Sequence, residues 1–446
     1  MSALDMRRGV APGERESYFA DYEALTKNGA AGPAWLRDLR SRAIARFGEL
    51  SFPTTHDEDW KYTSVAPILN VPFKGARDLA PAEQEAATDA AARAVPQGGV
   101  HLVFVNGHYT ADLSSTHKVG ATVAGLSALP DVGGGLAQPH VGRYAPFDRN
   151  AFTALNSALL GDVALVHVPR NVALDEPIYL TFVSSSADDL TASHPRVLVV
   201  VDEGASATVV ETYLGAANQR SFTNAITEIA LRNGASVSHC KLIQESERAF
   251  HIGTTQVHQG RDSSLTSFSI TMGAALTRND LNVVLDGEGA SCTLYGLYVT
   301  GDGQHADNHT SIEHTKPHGT SRQIYKGILD GKSRAVFNGK VIVHQDAQKT
   351  DAKQTNRNLL LSTDATVDTK PQLEIFADDV KCTHGAAIGQ LDEEALFYLR
   401  SRAMSEQTAR SLLTYGFASE VVERIGVAPL REQLNDRLRS ILRQGW

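Results

Sequence analysis

The sequence predicts a mostly β protein: a parallel, right-handed β-helix flanked by α-helical regions at its N- and C-terminal ends. Three observations predict it. From about His101 to Gly389 the chain consists of short β-branched and aromatic runs punctuated by Gly, Asn and Asp. Within that stretch one corner chemistry recurs: EGASATVVETYL, NGASVSHCKLIQ, RDSSLTSFSITM, GEGASCTLYGLYV and GKSRAVFNGKVIV each set a Gly- or Asp-containing corner before a small polar residue and a strand. The aligned serines are Ser206, Ser236, Ser264, Ser291 and Ser333, separated by 30, 28, 27 and 42 residues. A second strand family, TNAITEIALR, HIGTTQVHQG, NDLNVVLDGE and RQIYKGILDG, precedes the corners with no helical pattern between them. An antiparallel sandwich also alternates strands with glycine turns, but it gives no reason for one corner to return at nearly constant spacing. In a β-helix that spacing is one coil, and each coil buries its inward residues only by stacking on the next.

The elements follow in chain order. Residues 1–97 read as a helical region. In PAWLRDLRSRAIARF, Trp35, Leu36, Leu39, Ala43 and Phe47 share one face, arginines take the other, and Pro33 suits a helix start. The alanine-rich Pro81–Val95 reads as another helix or a linker. Residues 98–390 form the β-helix, and the 42-residue step is read as an excursion holding the His-rich HADNHTSIEHTKPHG. Residues 391–446 are helical: Asp392, Ser405 and Ser419 can each cap a helix, with Gly416 ending the second. In the last helix Leu430, Leu434, Leu438, Ile441 and Leu442 form an apolar stripe.

Composition narrows the function. A chain of 446 residues, 42% hydrophobic, can bury a large core, and its formal charge of −9 without a basic cluster argues against nucleic acid. No apolar run reaches the roughly 18 residues of a membrane span, and MSALDMRRGVAPGERES lacks a secretory apolar stretch, so a soluble cytoplasmic protein is expected. Three scattered cysteines do not make a disulfide framework. DGKS at Asp330–Ser333 fails as a phosphate loop, because Lys326 stands where the loop needs glycine.

The chemistry concentrates in QLEIFADDVKCTHG, where Cys382 and His384 lie two residues apart. On an extended backbone they face the same way, and thiolate plus imidazole is half a site for iron or zinc. A closed shell needs about four donors, so a partner or a transient ligand set is implied. The plainer reading of Cys382 is a small buried hydrophobe; Asp378, Asp379 and Lys381 around it favour an accessible strand end. Cys240 and Cys292 sit in strands of small and apolar residues and read as inward core. His305, Asp307 and His309 share a strand face, with His314 and His318 after them; a hydrogen-bonded structural role is the favoured reading over a metal site.

The segments Gln372–Ser405, Phe337–Ser362, Asp307–Leu329 and Phe52–Thr63 resemble the SufB/SufD family of the SUF iron–sulfur cluster assembly system. SufB-like chains carry further cysteines, and this chain has none before Cys240, so the resemblance is to the SufD side. It implies the same β-helix and a non-catalytic scaffold subunit of a SufB–SufC–SufD complex. SufB would pair at the β-helix edge and the SufC ATPase would dock on the C-terminal helices, its closure changing the geometry of the shared boundary. Cys382 and His384 would hold a transient iron–sulfur cluster shared with the partner, none being stably bound by the isolated chain, which could form a homodimer. The other function class is an exported polysaccharide-processing β-helix enzyme using acids such as Asp202, Glu211 and Glu228; it rests on fold analogy alone.

Overall fold

The computed structural model describes residues 15–27, 32–75, 81–94, 96, 98–129, 134–185 and 190–444. The expectations about residues 1–14 and Val95 lie outside these. The N-terminal region contains α1 (Glu16–Lys27), α2 (Ala34–Glu49), α3 (Ala66–Leu69), β1 (Lys74–Gly75) and α4 (Pro81–Ala94). On α2 the predicted stripe is buried at Leu36, Leu39, Ala43 and Phe47. Then come β2 (Val100–Val105), β3 (His108–Tyr109), β4 (Thr122–Gly125), α5 (Gly134–Ala137), α6 (Ala151–Ala158), β5 (Ala164–Val168), β6 (Ile178–Ser184) and β7 (Thr191–Ser193). Helices therefore interleave with short strands up to Ser193, and the regular coils begin only after them.

Seven coils follow, each with one strand in each of two sheets. They are β8 (Arg196–Val201) with β9 (Ser206–Gly215), β10 (Ser221–Leu231) with β11 (Ser236–Gln244), β12 (Phe250–Gln259) with β13 (Ser264–Thr271), and β14 (Leu276–Leu285) with β15 (Ser291–Thr300). The last three are β16 (His305–His314) with β17 (Thr320–Leu329), β18 (Arg334–Val343) with β19 (Asp351–Leu360), and β20 (Thr366–Ile375) with β21 (Lys381–Gly389). Even-numbered strands from β8 to β20 form one parallel sheet and odd-numbered strands from β9 to β21 the other. This is a parallel β-solenoid.

The register corrects one detail of the repeat. Ser206, Ser236, Ser264 and Ser291 do align, but the next members are Thr320, Asp351 and Lys381, while Ser333 precedes a strand of the opposite sheet. RQIYKGIL accordingly belongs with the corner family, and the 42-residue step holds no excursion. The His-rich segment is β16, fully paired with β14 and β18. What a corner needs is a turn followed by a small or polar residue, not serine itself.

Inside the stack one side is dry, with Val199, Val209, Ile229, Leu265, Val283 and Val341 packed together. The other side is polar. Tyr298 and Tyr325 fit into it because glycines on adjacent rungs leave room; a Cβ at Gly296 would lie 2.2 Å from Cδ1 of Tyr325. The aromatic layer of Tyr18, Phe47, Phe52, Trp60, Phe73 and Phe152 packs the N-terminal region on the even sheet through Phe222, Phe250 and Leu276.

Beyond the coils lie α7 (Glu393–Ser401), α8 (Glu406–Val422) and α9 (Ala428–Gln444). Asp392 and Ser405 cap as expected. Ser419 does not: α8 runs through Gly416 without a break, and the Ser419 hydroxyl donates to the Gly416 carbonyl at 3.0 Å. Packing overrides the local stop signal, since Ala418, Val421 and Val422 press onto the outer face of the odd sheet with Leu430, Leu434 and Leu438 of α9. Lys326, on that face, donates to the Phe417 carbonyl at 3.1 Å and pairs with Glu420 at 2.5 Å.

Candidate functional site

The strand β21 pairs on one side only, with β19, in the register Ala352↔Cys382, Gln354↔His384 and Asn356↔Ala386. Ala352, Gln354 and Asn356 are buried inward residues. Parallel strands keep side chains of one register column on the same face, so Cys382 and His384 point into the interior of the coil stack. Among the described residues no further coil covers them: Cys382 is half-buried against the core, and His384 is exposed. Ile388 and Ile375 occupy inward columns of the same last coil at 51% and 40% exposure, with Phe376 beside them at 63%. The end of the stack is thus an apolar opening with a sulfur and a nitrogen donor at its rim.

Partial burial raises the Cys382 thiol above its ordinary pKa; a backbone hydrogen bond with Ala352 opposes this and the Asp351 carboxylate adds to it. A metal bound there must displace the thiol proton. The other thiols are remote from this chemistry. Cys292 faces the coil interior, and burial pushes its thiol up to about 12. Cys240 is buried but not inward: it lies on the outer face of the odd sheet beneath α8 and α9, and burial raises its pKa well above the usual thiol value. Among the described residues no group of three or more His, Cys, Asp or Glu is placed to hold a metal.

The histidine-rich strand divides between two faces. Asp307 accepts from Arg278 Nη1 at 2.7 Å and Thr63 Oγ1 at 2.5 Å and lies 3.1 Å from His309 Nε2, and His305 Nε2 contacts Thr63 Oγ1 at 3.0 Å. His314 points inward and bonds Ser321 Oγ at 2.9 Å. These groups pin the Asp59–Thr63 segment to the even sheet and do not converge on one ion. The acids considered for a polysaccharide site do not pair either. Glu228 is spent on Arg196 and three backbone amides outside the coils, Asp202 pairs with His167, and Glu211 lies inside.

Sequence reasoning missed the interior polar cluster. Glu211 accepts from His239 Nε2 at 2.9 Å, Tyr213 Oη at 2.8 Å and Thr227 Oγ1 at 2.9 Å, with Lys241 Nζ at 3.8 Å. Strict alternation placed these residues on one face, but nothing local marked that face as the inner one. Burial alone would raise the Glu211 carboxyl; Lys241, His239 and Tyr213 outweigh it and hold the pKa at about 2, against an ordinary 4.5. A depressed folded-state pKa adds stability that is complete above pH 4.5 and lost as pH falls towards 2. Urea unfolding across that window should show a fall in stability that is shallower in Glu211→Gln; an equally steep fall in the variant would refute this assignment.

At the other end of the odd sheet's helical cover, α7 and α8 expose Phe397 at 73% and Tyr398 at 57%, together with Met404 and Leu412. A groove of about 500 Å³ lined by Gln407, Ser411, Leu412, Tyr415, Arg439 and Leu442 adjoins Leu412. No helix among the described residues is long and apolar enough to cross a membrane.

Comparison with known proteins matches residues 182–417 to the SufBD core domain of SUF-system FeS cluster assembly and residues 15–180 to the SufBD protein N-terminal region. An iron–sulfur cluster assembly SufBD family protein of Synechocystis is 35% identical over 90% of this chain and 89% of its own. The iron–sulfur cluster assembly protein SufD of Escherichia coli is 34% identical over 86% of this chain and 88% of its own, and that of Bacillus subtilis 28% identical over 90% and 93%. With both family models matched along nearly its whole length, the chain belongs to the SufBD family of iron–sulfur cluster assembly proteins.

Proposed function

We propose that this chain is a non-catalytic scaffold subunit that completes a metal site only by pairing, with SufB at the open end of its β-solenoid and the SufC ATPase at its C-terminal helices, in the cytoplasm. The observation that carries this reading is the placement of Cys382 and His384: inward-facing, on the last coil, with no coil of the described residues over them. Two donors bind iron or a nascent cluster weakly, and an incomplete shell suits a site that must hand its cargo on. A partner that adds strands to β20 and β21 would cover Ile375, Phe376 and Ile388 and bring its own ligands to the same seam. The same edge could pair two copies of this chain when the partner is absent.

The exposed aromatic surface of α7 and α8 supports the second contact. Because α8 is fixed to the odd sheet through Lys326 and its apolar face, a movement imposed on these helices by an ATPase would be transmitted to the coils rather than absorbed by a linker.

Anaerobic reconstitution with SufB and SufC tests the ligand role. Cys382→Ala and His384→Ala are each expected to lower iron and sulfide content about tenfold or more while the subunits still co-elute. Wild-type iron and sulfide in both variants would refute it.

A further inference from the structure

His384 is one rung from Gln354 in the same inward column. Gln354 is 1% exposed, and its side chain has a direction. Its Nε2 donates to Oε1 of Gln323 at 2.8 Å, and Gln323 Nε2 donates in turn to Thr310 Oγ1 at 2.5 Å across the interior. The Gln354 amide nitrogen is thereby turned to the preceding rung, away from the open end. The Gln354 carbonyl oxygen is buried and has no hydrogen-bond partner. An orphaned buried acceptor is costly unless a donor reaches it. The fit of the amide is also built in: a Cβ at Gly339 would lie 1.9 Å from Gln354 Nε2, so only glycine there leaves the amide its place.

We propose that Gln354 is the positioning residue for His384, its Oε1 accepting the imidazole N–H once a partner's coil closes the end of the stack. This rests on the ligand role proposed above. Adjacent parallel strands are about 4.8 Å apart, so side chains one rung apart in a column stand within reach of each other. A histidine whose one nitrogen donates to a fixed acceptor has its tautomer set, and the lone pair of the other nitrogen is then available to a metal. The row Thr310, Gln323, Gln354 would act as a backstop, ordering a ligand that is exposed in the isolated chain. The chain of amides has one polarity, so its last acceptor can serve only a donor, which a neutral or protonated imidazole supplies and the Cys382 sulfur does not replace.

The test uses the reconstituted complex with Gln354→Met, which keeps the length and loses the acceptor, and Gln354→Glu, which keeps an acceptor and loses the donor to Gln323. Gly339→Ala displaces the amide without removing it. Readouts are iron retained after gel filtration and, in the metal-free complex, the ring-nitrogen NMR shifts of His384, with partner co-elution as the folding check. Gln354→Met and Gly339→Ala should retain about tenfold less iron and show tautomer averaging, whereas Gln354→Glu should keep most iron and a single tautomer. Wild-type iron and a single tautomer in Gln354→Met would overturn the inference, as would equal damage from Gln354→Glu, which would mean that only the bond to Gln323 matters. His384→Ala separates the two readings. If it loses iron while Gln354→Met does not, the positioning role alone fails; if it keeps iron, the ligand role fails first.

Discussion

Arg196→Ala is expected to destabilise the protein by about 3–5 kcal/mol, the typical cost of removing one partner from a fully buried ion pair. Arg196 and Glu228 both have no exposed side-chain surface, and the guanidinium reaches Glu228 Oε1 through Nε at 3.1 Å and Nη2 at 2.5 Å. Its Nη1 also donates to Asn156 Oδ1 at 3.1 Å and Ser157 Oγ at 3.3 Å, both on α6. The carboxylate in turn accepts from the backbone amides of Gly142, Tyr144 and Ala145 at 2.8 to 3.0 Å. One pair therefore joins the first two regular coils, a helix and a loop. Loss of the cation would leave a buried carboxylate held by three amides, and α6 would lose its side-chain bonds to Arg196 of β8. Urea unfolding measures the cost; a change below about 1 kcal/mol would show that the site relaxes to admit solvent.

Ile388→Asp should leave the isolated chain folded and weaken pairing at the open end by about a hundredfold, since the new carboxylate would be buried without a counter-ion in the complex. Half of Ile388 is solvent-exposed in the single chain, so the charge costs little there. Co-elution with the partner at micromolar concentration, set beside an unchanged thermal melt, measures both halves of this statement. Intact pairing would mean that the partner does not cover this end. Lys381→Ala, on the outward face of the same strand, provides the comparison.

The architecture was largely legible because coils repeat a physical requirement: turn, small polar residue, strand, at one coil's spacing. Where the reading slipped, it followed residue identity instead of that requirement. Thr320 does for its corner what Ser291 does one coil earlier, and searching for serine passed over it to Ser333. The 42-residue step puts the histidines of β16 in an excursion; in the structure they lie on a paired strand, and Asp307 and its neighbours are roofed by the Asp59–Thr63 segment, 244 residues away from Asp307 in the case of Thr63. No local pattern carries that contact. Cys240 was rightly read as buried but assigned to the wrong side, because its strand is covered on both faces and alternation cannot tell the inner from the outer. At the site, alternation did place Cys382 and His384 together. That they face inward follows only from the pairing with β19, and the role proposed for Gln354 only from the row of amides behind it.

The final turn of the solenoid, β20 and β21, has a neighbour beneath it and, among the described residues, none above. In a structure whose cohesion is a sum over adjacent layers, such a terminal layer is held by about half of the interactions that grip an interior one. Fraying therefore begins where the sulfur and imidazole donors are mounted. Docking of a second subunit would supply the missing layer, so that ligand geometry and local rigidity arrive in the same event, and dissociation would loosen both together.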